Sequence, residues 1–190
     1  MPGRIPVNIN KMQRFVLFCM AGCLLGAPLH AKGDERGFLV IRGGSSDHFN
    51  NTQLYDRYRQ VEAALTWWLP WQHRFSSGIL FKSGLDIHGG LLTDHDTSAF
   101  VGGIGPRLAF FTPKEVFCLD AGVSPSLLSD HDFRADDFGG PLQFNSFIGV
   151  AWHPGKWLRL GFRFQHMSNG GIYSQNPGMQ IYVAEIGFRF

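Results

Sequence analysis

The stretch Trp157-Leu158-Arg159-Leu160-Gly161-Phe162-Arg163-Phe164-Gln165-His166-Met167-Ser168 decides how the chain is read. Side chains of a β-strand alternate between two faces, so Leu158, Leu160, Phe162 and Phe164 share one face, which His166 and Ser168 continue. Arg159, Gly161, Arg163 and Gln165 take the other. Large apolar residues facing water, with arginines behind them, would invert the pattern of a soluble protein. The arrangement is sensible if the apolar face meets lipid and the arginines line a small polar interior. His166 and Ser168 then stand on the outer wall, where a lipid can reach them. Residues i and i+2 lie about 6.6 Å apart along a strand, so an imidazole and a serine hydroxyl can meet there for base-assisted nucleophilic attack. The pair alone is also compatible with two ordinary polar side chains at the headgroup level.

Outward from this strand the same reading repeats. Eight candidate strands span roughly 37–46, 58–69, 74–88, 98–111, 115–126, 141–153, 157–168 and 178–190. Connections at Leu69–Arg74, Thr112–Lys114 and Pro154–Lys156 are short and contain proline, whereas 47–57, 89–97, 127–140 and 169–177 are longer and polar. Short periplasmic turns alternate with long outer loops in bacterial outer-membrane barrels, and an even strand number lets the sheet close on itself. The expected fold is all-β, an eight-stranded antiparallel transmembrane β-barrel. With 24 glycines, 14% aromatic and 17% charged residues, the 190-residue composition suits one such domain. A net charge of +2 without any basic run gives no reason to expect nucleic acid as a partner.

The faces agree between strands. Val61, Ala63, Leu65 and Trp67 oppose Gln60, Glu62 and Thr66, and Leu142, Phe144, Ile148, Val150 and Trp152 oppose Gln143, Asn145 and Gly149. Inward charges are then Glu62, Asp86, Asp120 and Glu185 against Lys82, Arg107, Arg159, Arg163 and Arg189. Near balance is what a filled interior requires, so no open channel is expected. Trp67, Trp68, Trp71, Trp152 and Trp157 cluster near the short turns, as an interfacial girdle would. A soluble lipocalin-like barrel is the competing architecture, but it gives no reason for an arginine-lined core.

Residues 1–31 read as an export signal, with Lys11 and Arg14 ahead of the apolar run Phe15–Leu25 and Leu29-His30-Ala31 as the cleavage region. Met12 is a second candidate start, and Cys23 a competing lipoprotein site. The barrel domain is 32–190. Its one cysteine, Cys118, allows no internal disulfide.

The run His166-Met167-Ser168-Asn169-Gly170-Gly171-Ile172, followed by Asn176-Pro177-Gly178 and a short strand ending in Phe190, resembles the PagL-type lipid A deacylases. These outer-membrane enzymes remove the ester-linked acyl chain at the 3 position of lipid A. The resemblance implies Ser168 as nucleophile, His166 as general base, and Asn169, Gly170 and Gly171 as oxyanion donors. It implies lipid A as substrate, the outer membrane as location, and no cofactor. The family's orienting glutamate falls twelve residues after the serine, where this chain has Gln180. Pairing of Ser168 with Gly178 would set Gln180 opposite His166. A glutamine carbonyl can accept the imidazole N–H and fix its tautomer, but supports an imidazolium less than a carboxylate does. The alternative is a catalytically silent barrel with a structural, adhesive or resistance role. A homodimer is left open.

Asp94-His95-Asp96 and Asp130-His131-Asp132, with Asp136-Asp137, are candidate cation ligands in outer loops, although solvated loop acids are the plainer reading and no metal is assigned. His73 and His153 lie in short turns and read as ordinary surface residues.

Overall fold

Alternation of apolar and polar side chains carries through eight strands, each antiparallel to the next, until the last pairs with the first and the barrel closes. The computed structural model describes residues 37–46, 58–94, 96–133 and 136–190; the expected export signal lies outside them. The strands are β1 Gly37–Ser46, β2 Arg59–Arg74, β3 Leu80–Thr93, β4 Ser98–Phe111, β5 Phe117–Leu128, β6 Leu142–Trp152, β7 Leu158–Ser168 and β8 Met179–Arg189. Closure leaves no unpaired edge, which is the condition for a sheet to cross a bilayer.

The outside is apolar. Ile41, Phe100, Leu127, Ile148, Val150 and Phe162 are each half exposed or more, which water would penalise and lipid accepts. Inside, the side chains form layers. At the long-loop end Tyr58, Leu92, Val101, Phe133, Phe138, Met167, Met179 and Ile181 make an apolar plug. Below it runs a polar ladder in which Asn145 Nδ2 donates to Ser126 Oγ at 3.0 Å and Gln165 Nε2 to Gln60 Oε1 at 3.3 Å. The middle layer is ionic. Arg42 donates to both oxygens of Asp86, at 2.9 and 2.5 Å, and to Glu185 at 2.9 Å. Arg107 bridges Asp86 and Asp120, Arg159 bridges Asp120 and Glu185, and Arg163 pairs with Glu185. Buried charges are tolerable only when paired in this way. The inner end closes over Phe38, Val40, Leu80, Phe111 and Cys118.

Five details depart from the sequence reading. Arg42 is the hub of the ionic layer, although the inward charges read from the sequence omit it. β2 does not stop at Leu69: its register shifts between Trp68 and Gln72, around Pro70, and pairing resumes at Gln72–Arg74. Proline lacks an N–H, so it interrupts the ladder without ending the strand. The turn is therefore 75–79, with Gly78 at φ +83°. β3 continues through Gly89-Gly90 to Thr93, because β2 approaches so closely that a Cβ on Gly90 would lie 2.0 Å from the Val61 carbonyl. Finally, His153 is not a surface residue. It is buried between the rings of Phe38 and Phe111, both at 5.5 Å, which holds its imidazole down to about pKa 4, burial being the main cause. Trp68 likewise packs inward against Phe111 rather than joining an interfacial ring.

Candidate active site

His166 and Ser168 reach the outer wall because Met167, between them, is anchored inward. Met167 pairs with Met179 across the β7–β8 hairpin, both only 2% exposed within the apolar plug. That anchor fixes the parity of its neighbours. His166 and Ser168 are half-buried on the lipid side, and Gln180, directly across from His166, is exposed there. On the other flank His166 pairs with Ser146 of β6 and Ser168 with Phe144. One outward row therefore reads Ser146, His166, Gln180, with Ser168 one step nearer the loop.

The imidazole lies over Gly178, at the loop end of the hairpin. Gly178 directly precedes the Met167–Met179 pair, and a Cβ on it would meet His166 Cε1 at 3.2 Å and Nε2 at 3.9 Å. The bare glycine, at φ +69°, leaves the space the ring occupies. Among the described residues no hydrogen bond links the side chains of His166, Ser168 and Gln180. The nearby bond is from Ser146 Oγ to the His166 carbonyl, at 3.4 Å. Catalytic hydrogen bonds are often long in structures without substrate, so their absence does not separate the members of a site.

Asn169 has another place than the one expected. It is fully buried, and its Nδ2 donates to the carbonyls of Phe138 at 2.9 Å and Gln175 at 2.5 Å, while its Oδ1 accepts the Gly171 N–H at 2.8 Å. Both amide hydrogens are thus bonded to backbone carbonyls. Its own N–H donates to Asn176 Oδ1 at 3.1 Å. Gly170 and Gly171 both adopt positive φ, at 63° and 80°, and make the sharp turn after Ser168.

The Phe138 carbonyl accepts a second bond, from Gln143 Nε2 at 3.2 Å, so one oxygen ties the 169–178 loop to β6 and to the 129–141 loop. Around it the two loops interlock. Tyr173 covers Gly140 so closely that a Cβ there would lie 2.4 Å from its ring, and a Cβ on Gly139 would lie 2.4 Å from the Gln175 carbonyl. Asp137 accepts the Gly139 N–H at 2.7 Å and faces His131 Nδ1 at 2.9 Å. Those two contacts, the backbone one foremost, hold its carboxyl below the usual carboxylate range. The other loop acids also bind backbone or side-chain donors: Asp94 Oδ1 accepts from Asp96 and Thr97, Asp130 from Asp132, and Asp136 from the Tyr58 hydroxyl. His95 lies outside the described residues. Among those described, no three His, Cys, Asp or Glu side chains converge as a cation site.

Two participants escaped the sequence reading. Ser146 has the outward parity of Phe144 and Ile148, a signal present in the sequence. The loop–loop contacts through Phe138, Gln143 and Tyr173 had none, because they join segments about thirty residues apart without a pattern.

Comparison with known proteins agrees with this fold. The chain is 27% identical over 157 residues to lipid A deacylase PagL of Bordetella bronchiseptica, covering 78% of this chain and 84% of that one. The crystal structure of the outer membrane enzyme PagL superposes with a TM-score of 0.66 at 16% identity, covering 79% of this chain and 97% of the other, and so shares its fold. The profile of the lipid A 3-O-deacylase family matches residues 58–189, from the start of β2 to the end of β8. With that match covering most of the barrel, the chain belongs to the lipid A 3-O-deacylase (PagL) family.

Proposed function

We propose that the protein is an outer-membrane esterase that removes the 3-position acyl chain of lipid A, with Ser168 as nucleophile and His166 as general base. The observation that carries this reading is the lipid-facing row itself, in which His166 and Ser168 share one face of β7, the imidazole lies over Gly178 and Gln180 stands across from it. Ser168 Oγ attacks the ester carbonyl while His166 takes its proton. The tetrahedral intermediate then expels the sugar 3-hydroxyl, which takes the proton back from the imidazolium. Water, deprotonated by His166, hydrolyses the acyl-serine and frees the fatty acid. Gln180 orients the imidazole through its carbonyl. Backbone N–H groups of the Gly170-Gly171 turn supply the oxyanion contact, with the Gly171 N–H exchanging Asn169 Oδ1 for the developing charge. Asn169 positions that turn.

Lipid A from cells expressing the wild type, Ser168→Ala, His166→Ala and Ser146→Ala tests the assignment by mass spectrometry. Loss of one 3-position acyl chain with wild type and Ser146→Ala, and none with Ser168→Ala or His166→Ala, is the expected result. Activity that survives Ser168→Ala but not Ser146→Ala would move the nucleophile to β6. The neutral Gln180 favours a second reading, a barrel that keeps the architecture without turnover; unmodified lipid A in the wild-type lane would establish it.

A further inference from the structure

The inner end of the β4–β7 wall carries a feature that deacylation does not use. A groove of about 410 Å³ opens on the outside of the barrel there, a volume in the range of small-ligand sites. Its sides are Phe110, Phe117 and Trp152, and its floor is the smaller pair Leu119 and Val150, which face each other across β5 and β6. The register explains the hollow: aromatic side chains flank a row of aliphatic ones on strands about 4.8 Å apart. The site row is at the opposite, long-loop end of the same strands.

Two lysines sit in the turns that follow the lining strands β4 and β6. The turn after β4, which contributes Thr112 to the lining, carries exposed Lys114, and the turn after β6 carries exposed Lys156. The two turns touch, since the His153 N–H donates to the Val116 carbonyl at 2.8 Å. The one acid between them, Glu115, is already engaged by Arg74 at 2.6 Å and by Lys82 at 3.8 Å. Neither Lys114 nor Lys156 forms an ion pair among the described residues. An apolar slot beside turns that carry two lysines without an ion-pair partner matches a molecule with an alkyl chain beneath an anionic headgroup.

We infer that this groove binds one acyl chain of an anionic glycerophospholipid of the periplasmic leaflet, with its phosphate held between Lys114 and Lys156. The inference rests on the placement of the barrel in the outer membrane with its short turns inward, and not on the identity of the nucleophile. Commitment to a phospholipid follows from the end of the barrel concerned, because lipid A occupies the opposite leaflet.

Native mass spectrometry of the full barrel, released from mixed micelles doped with palmitoyl-oleoyl phosphatidylglycerol or its phosphatidylcholine counterpart, tests it. The wild type is expected to keep one phosphatidylglycerol under activation that strips phosphatidylcholine. K114Q/K156Q is expected to weaken phosphatidylglycerol retention about 30-fold, from the attraction of two lysines to an anionic lipid. Val150→Trp, which fills the floor, should remove adducts of both headgroups. Each variant should keep the heat-modifiable gel shift and wild-type lipid A deacylation, so a misplaced barrel or a wrong nucleophile shows separately. Equal retention of the two headgroups by the wild type, needing no variant, overturns the proposal. So does unchanged retention in K114Q/K156Q, or a dimer that Val150→Trp dissolves, since a second copy would then cover the groove.

Discussion

Replacing Gln180 by glutamate asks the most of the proposed site. Residues paired across antiparallel strands have Cβ atoms about 4.5–5.5 Å apart, and Gln180 holds that relation to His166, so its side chain can reach an imidazole nitrogen. In the wild type a neutral amide oxygen would accept the imidazole N–H. A carboxylate there would face the positive charge that develops as Ser168 loses its proton. Hydrogen bonds to charged groups contribute about 1.5–3 kcal/mol against 0.5–1.5 kcal/mol for neutral ones, a gain of order 1 kcal/mol. Gln180 is exposed, which argues for the lower part of that range because solvent screens the pair. The same exposure keeps the cost of desolvating the new carboxylate small. About 1 kcal/mol corresponds to roughly a fivefold faster acylation. Initial rates of lipid A deacylation in detergent micelles, with wild type, Gln180→Glu and Gln180→Ala at equal folded fraction, read this directly. The order expected is Glu above Gln above Ala. Equal rates for all three would show that nothing at position 180 touches the reacting histidine, and the register argument would fail.

Glu185→Gln serves as the contrast: it strips a buried partner from Arg42, Arg159 and Arg163, so about 3–5 kcal/mol of barrel stability is expected to go, read as a lower temperature of the gel-shift transition. Asn169→Ala removes three loop hydrogen bonds of about 1 kcal/mol each. Activity is expected to fall by up to about 100-fold with the gel shift unchanged, and an unchanged rate would show that the turn holds itself. Asp137 is held below the usual carboxylate range, so its contribution to loop docking is present above its unfolded value of about 3.9 and is lost as pH falls through the lower folded one. Proteolysis of the 129–141 loop should therefore rise on acidification in the wild type and be high at all pH values in Asp137→Ala.

Much of this was legible because a barrel wall writes its two environments into alternate residues. Arg159, Arg163 and Glu185 could be placed inside, and Phe162 and Ile186 outside, from parity alone, and the Gln180–His166 pairing followed from one hairpin register. Where parity lost its contrast, so did the reading. Gly89-Gly90 looks like a loop because glycine marks both turns and crowded walls, and only the closeness of Val61 distinguishes them. Pro70 looks like a strand end because its missing N–H breaks one ladder bond, although three more residues pair beyond it. His153 carries no sign of burial, since its neighbours Phe38 and Phe111 come from strands far away in sequence. Asn169 shows the same limit within the site: the residue type fits an oxyanion donor, but its partners are carbonyls of two loops.

The guanidinium layer has a kinetic meaning. Arg42, Arg107, Arg159 and Arg163 fill the described lumen on their carboxylates, and the proposed row of His166 and Ser168, on the outer face, is reached sideways. Encounter with substrate is then a search in two dimensions. On the proposed reading, turnover would follow the mole fraction of lipid A in the surrounding leaflet rather than its concentration in the surrounding water. Its pace would then depend on lateral diffusion and on the crowding of neighbouring lipids, and the freed fatty acid would begin life already dissolved in the membrane.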